Sequence, residues 1–505
     1  MTNPATTLTA GPATPGPLVE TEAGLVRGLA RDGDAAFLGI PFAAPPVGEL
    51  RFAAPQQPAA WSGVRDATAF GPTPQRRPFG ALTTIPEPSI PGDDTLSVNV
   101  FTPAAGDEGA RLPVLVWVHG GGYFAGSPAS PWYDGASFTR DGVVVVTLSY
   151  RLGYDGFGWI EDAPLNRGIL DQIAALEWVQ RNIAAFGGDP GRVTIAGQSA
   201  GGGSVLNLLV SPRARGLFHR VISHSGAPGH VGADTAEDVG RRFADALGVT
   251  PTVAALRALS EDAILDRERE FNVAPGGITP NATPDDVLAG VARAPLAAGL
   301  AFAPVIDGEV VTDVAAAAAD GVAADIPLLL GTTRNEFAFP TPTTRDDVLA
   351  ALGRAGVDAA HVDAFGREID RIGEGFAFSQ LLVLSMFRVP SALIARRRRA
   401  VDAAETTWLY DFAYRSSVDG VSAHCYDLPF AWDLLGADGV ARVLGTPPQQ
   451  LADRMHADWV GFISGDAPAW VSVGDRASGA MTYDVASGFD PDAYGVEAAV
   501  LDALD

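Results

Sequence analysis

No lysine occurs anywhere in the 505 residues, so all 35 basic side chains are arginine. That excludes any chemistry that needs an ε-amino group, such as a Schiff base, a Ser-Lys dyad or a P-loop. Cysteine occurs once, at Cys425, which rules out an intrachain disulfide and permits a reducing compartment. Positive charge is scarce overall. A net charge of -25 argues against a nucleic-acid backbone or an anionic membrane as partner. No segment offers the roughly 18 uninterrupted apolar residues that a membrane helix needs. The opening stretch, MTNPATTLTAGPATPGP, lacks the basic and apolar regions of a signal peptide and reads as a mobile tail over 1–17. A soluble, cytoplasmic protein is expected.

What is present suits a large core: 47% of residues are apolar and 19% charged. Short runs rich in Val, Ile and Leu lack clean alternation, the mark of strands buried on both faces. They fall at 112–118, 143–148, 192–196, 219–223, 326–331 and 406–412, with a helix expected over 169–186. That order describes an α/β protein with a mostly parallel sheet, helices on its faces and a small antiparallel entry over 18–61. A single domain over 18–505 is expected, with residues 229–325 forming a cap over the strand ends, where ligands collect in such sheets. The ARRRR run at 395–399 reads as a solvated helix face.

After the 192–196 strand stands Gly197-Gln198-Ser199-Ala200-Gly201, followed by helix-compatible residues. A strand that feeds a helix through so tight a turn lifts its serine hydroxyl above the sheet. Gly197 and Gly201 suit the turn because a Cβ at either place would crowd it. After the 112–118 strand comes His119-Gly120-Gly121-Gly122. In esterases with this arrangement, amides of the glycine loop and of the residue after the nucleophile hold the oxyanion. Here those are Gly121, Gly122 and Ala200.

A serine needs a base, and the base a carboxylate. Of seven histidines, His424 follows the last long strand, and the chain order serine, acid, histidine also selects it. For the acid, Glu336 follows the 326–331 strand, with Asp307 in PVIDGE as a rival that reads more as a turn residue.

Taken together, the chain resembles the type-B carboxylesterase and cholinesterase family from about residue 18 to 485. FLGIPFAAPPVGELRF, HGGGYFAGS, VTIAGQSAGG, GTTRNE and AHCYDLPFAW carry the likeness, in the right order. The resemblance implies an α/β-hydrolase fold and a serine carboxylesterase without metal or cofactor, acting on a small-molecule ester. It supports Glu336 as the acid. It suggests Ser225 as a hydroxyl near the triad, and Arg51–Asp93 and Arg151–Asp171 as ion pairs. There are departures. Thr73 and Thr95 stand where the family's first disulfide falls, no tryptophan lies between them, and Gln198 replaces the glutamate of cholinesterases. The pattern is therefore nearer to bacterial carboxylesterases of the p-nitrobenzyl esterase type. Gln198, Tyr123, Ala298 and Leu300 are expected to line the substrate pocket, the last two leaving a roomy acyl site. Amides, carbamates, thioesters and lactones remain open as substrates, a non-catalytic binding role is the remote alternative, and monomer and homodimer stay open.

Overall fold

The computed structural model describes residues 16–77, 80, 83–271, 282–294, 296 and 299–504. Most of the expected tail, and Ala298, lie outside the described residues. The sheet is built from eleven strands. They are β1 (Leu29–Ala30), β2 (Ala35–Pro41), β3 (Ser97–Thr102), β4 (Leu112–Val118), β5 (Val144–Leu148), β6 (Gly188–Gln198), β7 (Arg220–His224), β8 (Leu328–Thr333), β9 (Thr407–Phe412), β10 (Ala480–Tyr483) and β11 (Gly488–Asp490). Their spatial order is β11-β10-β9-β8-β7-β6-β4-β5-β3-β2-β1. From β10 to β5 neighbours run parallel, while β3, β2 and β1 at one end and β11 at the other pair antiparallel. A separate three-stranded sheet joins Leu18–Thr21, Gly24–Arg27 and Val64–Asp66.

The strands carry apolar residues continuously because both faces are covered. In β4, Val114, Val116 and Val118 enter one core cluster, while Leu115 and Trp117 enter the other. Each such fully buried aliphatic side chain contributes about 1.5–3 kcal/mol. The helix expected over 169–186 is α1 (Arg167–Asn182), continued by a tight turn at Ile183–Phe186. The 229–325 interval holds the helices Ala233–Leu247, Val253–Arg257, Glu261–Glu268, Pro284–Arg293 and Val314–Ala319.

One long apolar helix stands out, and the arginine run at its end needs a correction. Residues Glu374–Arg399 form a 26-residue helical stretch that is long and apolar enough to cross a membrane. Its apolar window is 94% buried inside the protein, so it serves as a core helix. Ser379, Gln380, Ser385 and Arg388 break its apolar run, so the absence of 18 uninterrupted apolar residues holds. The arginine run at its end is not uniformly solvated either. Arg398 is buried and donates to Thr407 Oγ1 at 2.8 Å and to the carbonyls of Ala323 and Ile326 at 3.0 and 2.8 Å. Burial without a carboxylate contact pulls its pKa down to about 10.

Arg388 is itself a tie between layers. Its guanidinium meets Asp411 of β9 at 2.7 Å and Glu497 of the C-terminal helix at 2.5 Å, and lies over the Tyr494 ring. Removing the cation leaves the buried Glu497 carboxylate without its ion-pair partner, while Asp411 keeps Arg334. We therefore expect Arg388→Met to lower stability by about 3–5 kcal/mol, read as a lower urea midpoint. An unchanged midpoint would mean the network contributes nothing net.

Candidate active site

Ser199 sits between β6 and the helix α2 (Ala200–Val210), with φ 58° and ψ -122°. A serine rarely adopts that backbone, and such strain persists only where surroundings enforce it. Here they do. A Cβ at Gly197 would fall 2.4 Å from the Gly201 carbonyl, and one at Gly201 would fall 2.0 Å from the Val118 carbonyl oxygen. The Ser199 amide donates to the His224 carbonyl at 2.9 Å, and the Gly203 amide to the Ser199 carbonyl at 2.8 Å. Strand, turn and helix thus lock the residue in place.

The glycine loop runs alongside. Gly121 and Gly122 have φ of 112° and 61°, and a Cβ at Gly121 would meet the Ala125 carbonyl oxygen at 2.1 Å. Among the described residues, the amides of Gly121, Gly122 and Ala200 donate to no protein acceptor. Unspent donors of this kind suit an oxyanion. His119 anchors the loop. Its ring stacks on Tyr150 at 4.6 Å and its Nδ1 meets the Gly120 carbonyl at 2.8 Å. Complete burial pulls its pKa down to about 4, so it stays neutral.

His424 and Glu336 come from different loops. The His424 amide donates to the Glu336 carbonyl at 2.6 Å, and Glu336 bridges Ala423 in a parallel pair. The side chains then meet, with His424 Nδ1 and Glu336 Oε2 at 2.5 Å. The other carboxylate oxygen accepts from the Thr333 amide at 3.0 Å. Burial opposes charge on the imidazole, the neighbouring Cys425 and the Glu336 carboxylate favour it, and the balance lifts His424 above the usual histidine value. Burial also pushes the Cys425 thiol up. Phe337 and Phe387 pack on the imidazole at 4.7 and 5.1 Å. Phe387 is delivered by a π-helical turn at Leu384–Arg388, a distortion frequent at functional sites. Neither phenylalanine is conspicuous in the sequence.

Gln198, beside the serine, is buried, and its Nε2 lies 2.9 Å from His424 Nε2. Ser225 is buried next to β8, its amide donating to the Gly331 carbonyl at 2.7 Å. Its hydroxyl reaches no hydrogen-bond partner among the described residues. Tyr123 departs from expectation. Its φ of 66° turns the ring inward, where it packs on Phe157 and donates to the Pro228 carbonyl at 3.2 Å. The neighbouring Phe124 is the one left 39% exposed.

A cavity of about 960 Å³ opens beside this loop, with Phe124, Leu300, Phe302, Arg51, Arg151 and Glu268 in its wall. Leu300 is therefore pocket-lining as expected, whereas Ser199, Glu336 and His424 lie outside the wall. Burial raises the Glu268 carboxyl to about 8 although the Tyr154 amide donates to it at 2.6 Å. Arg151 and Asp171 pair at 2.7 Å as expected. Arg51 does not meet Asp93. It pairs with Asp155 at 3.2 Å, because the helix Gly153–Phe157 brings that carboxylate to it. Asp307 accepts three amides of its own turn, from Glu309, Val310 and Val311, and its other oxygen accepts from Asn166 Nδ2 at 2.8 Å. Asp427 is taken by His224 at 2.8 Å.

Comparison with known proteins agrees with this architecture. The carboxylesterase family profile matches residues 15–363. A para-nitrobenzyl esterase of Bacillus subtilis (strain 168) is 33% identical over 487 residues, covering 90% of this chain and 91% of its own. A liver carboxylesterase of Sus scrofa is 34% identical over 458 residues, 80% of this chain and 76% of its own. A solved carboxylesterase of Geobacillus stearothermophilus superposes with a TM-score of 0.78 at 31% identity, covering 96% of this chain and 99% of that one.

Proposed function

The chain belongs to the carboxylesterase family and hydrolyses carboxylic esters, and on that premise we propose that Ser199 is the nucleophile, His424 its base and Glu336 the carboxylate that orients the base. The observation that carries the assignment is the Glu336–His424 pair at 2.5 Å, whose far nitrogen lies 2.9 Å from Gln198 of the strained elbow. The Ser199 hydroxyl attacks the ester carbonyl while His424 Nε2 takes its proton. Gly121, Gly122 and Ala200 hold the oxyanion of the tetrahedral intermediate, each donor being worth about 3–4 kcal/mol of barrier. The protonated ring then gives its proton to the leaving alcohol, and water, activated by the same nitrogen, releases the acid. Throughout, Glu336 keeps Nδ1–H donated to itself and stabilises the imidazolium without taking the proton. The adjoining cavity, with Leu300 and Phe124 in its wall, supports esters with bulky groups. A cytoplasmic setting is part of the proposal, supported by the single buried thiol.

The test is a pH series on p-nitrophenyl esters from acetate to decanoate. The base works only when neutral, so kcat/KM rises with pH through the free-enzyme pKa of His424. Its neighbours Cys425 and Glu336 lift that value, so the midpoint of the rise falls above 6.5. A profile flat from pH 5 to 9 would remove His424 from the role.

A further inference from the structure

The base's second nitrogen already has a partner. With Nδ1–H donated to Glu336, Nε2 carries the lone pair of the neutral ring. The group that reaches it is Gln198, at 2.9 Å, and among the described residues no side-chain hydrogen bond joins Ser199 to the ring. The Gln198 amide oxygen is packed against the glycine loop, where a Cβ on Gly120 would fall 2.6 Å from it. The side chain is only 1% exposed. An N–H held in so confined a place satisfies the neutral imidazole and cannot satisfy the protonated one.

We propose that Gln198 is a gate on the base: its carboxamide caps neutral His424 in the resting enzyme and turns aside before Ser199 can hand over its proton. A donor to the neutral form also disfavours the cation, so Gln198 opposes the upward pull of Glu336. The ionisable groups facing the ring are Glu336, from the loop after β8, and Cys425 on its own loop. The elbow contributes the uncharged Ser199 and Gln198, and the π-helical turn contributes Phe387, whose neighbour Arg388 is turned away into Asp411 and Glu497. Among the described residues, Gln198 is the side chain that meets Nε2, opposite Glu336.

This inference rests on His424 being the base, and the experiment separates the two. The pH dependence of kcat/KM on p-nitrophenyl butyrate is measured for the native enzyme, Gln198→Glu, Gln198→Met and His424→Ala. Gln198→Glu puts a carboxylate near Nε2 and should raise the acid-limb midpoint by about one pH unit or more. Gln198→Met keeps the length, lacks the donor and should raise it by roughly half a unit. Limbs within about 0.2 unit of native in both folded variants, with His424→Ala inactive, overturn the gate and leave the base assignment standing. Turnover surviving in His424→Ala overturns both.

Discussion

Ser199→Ala will lower kcat/KM on p-nitrophenyl esters by roughly 10⁴- to 10⁶-fold while the protein stays folded. The size follows from losing the only atom able to form the acyl-enzyme in this reading. The retained fold follows from what holds the elbow. Its φ of 58° is enforced by glycine packing at 197 and 201 and by backbone bonds to His224 and Gly203, none of which involves the hydroxyl. Alanine keeps the Cβ and its constraints. The amides of Gly121, Gly122 and Ala200 remain in place, so a residual rate above that in water is expected from oxyanion binding alone. Active-site titration with a phosphonate ester checks the same point, because the variant should take up none while the native enzyme takes up one equivalent. Turnover within about tenfold of native would remove Ser199 as the nucleophile.

The elbow and the glycine loop were legible because their requirements are local. Backbone approaching backbone at 2.0 to 2.4 Å from a hypothetical Cβ demands glycine within a few residues of the serine, and such a demand is written as a short motif. The buried strands were legible for a similar reason, since two covered faces leave no place for polar alternation. Side-chain direction was not. Tyr123 and Phe124 look interchangeable as text, and only a positive φ at 123 sends one ring into the core and the other to the cavity. Partner choice across the chain was hidden as well. Arg51 takes Asp155 rather than Asp93 because a five-residue helix moves the carboxylate into reach, and the Gln198–His424 contact joins residues 226 positions apart. Phe387 reaches His424 only through a π-helical turn, for which the sequence has no short signature.

Glu336→Gln will cost roughly 10³- to 10⁴-fold in kcat with little change in KM, although it removes no more than a charge. One carboxylate oxygen accepts from the Thr333 amide and the other from His424 Nδ1, at 3.0 and 2.5 Å. In the variant, the Thr333 amide captures the carbonyl oxygen of the glutamine, so the glutamine NH₂ must face Nδ1. The ring then accepts there, its proton moves to Nε2, and the lone pair needed to take the serine proton is gone. The imidazolium also loses the carboxylate that stabilises it. Backbone contacts from Glu336 to His424 and Ala423 do not depend on the side chain, so the loop should hold its position. Glu336→Asp, which keeps the charge but retracts it by one methylene, should recover part of the loss. That ranking, native above aspartate above glutamine, separates tautomer control from a packing role. If glutamine instead retained activity within tenfold of native, the carboxylate would be a buried structural anchor and the orienting group would have to be sought elsewhere.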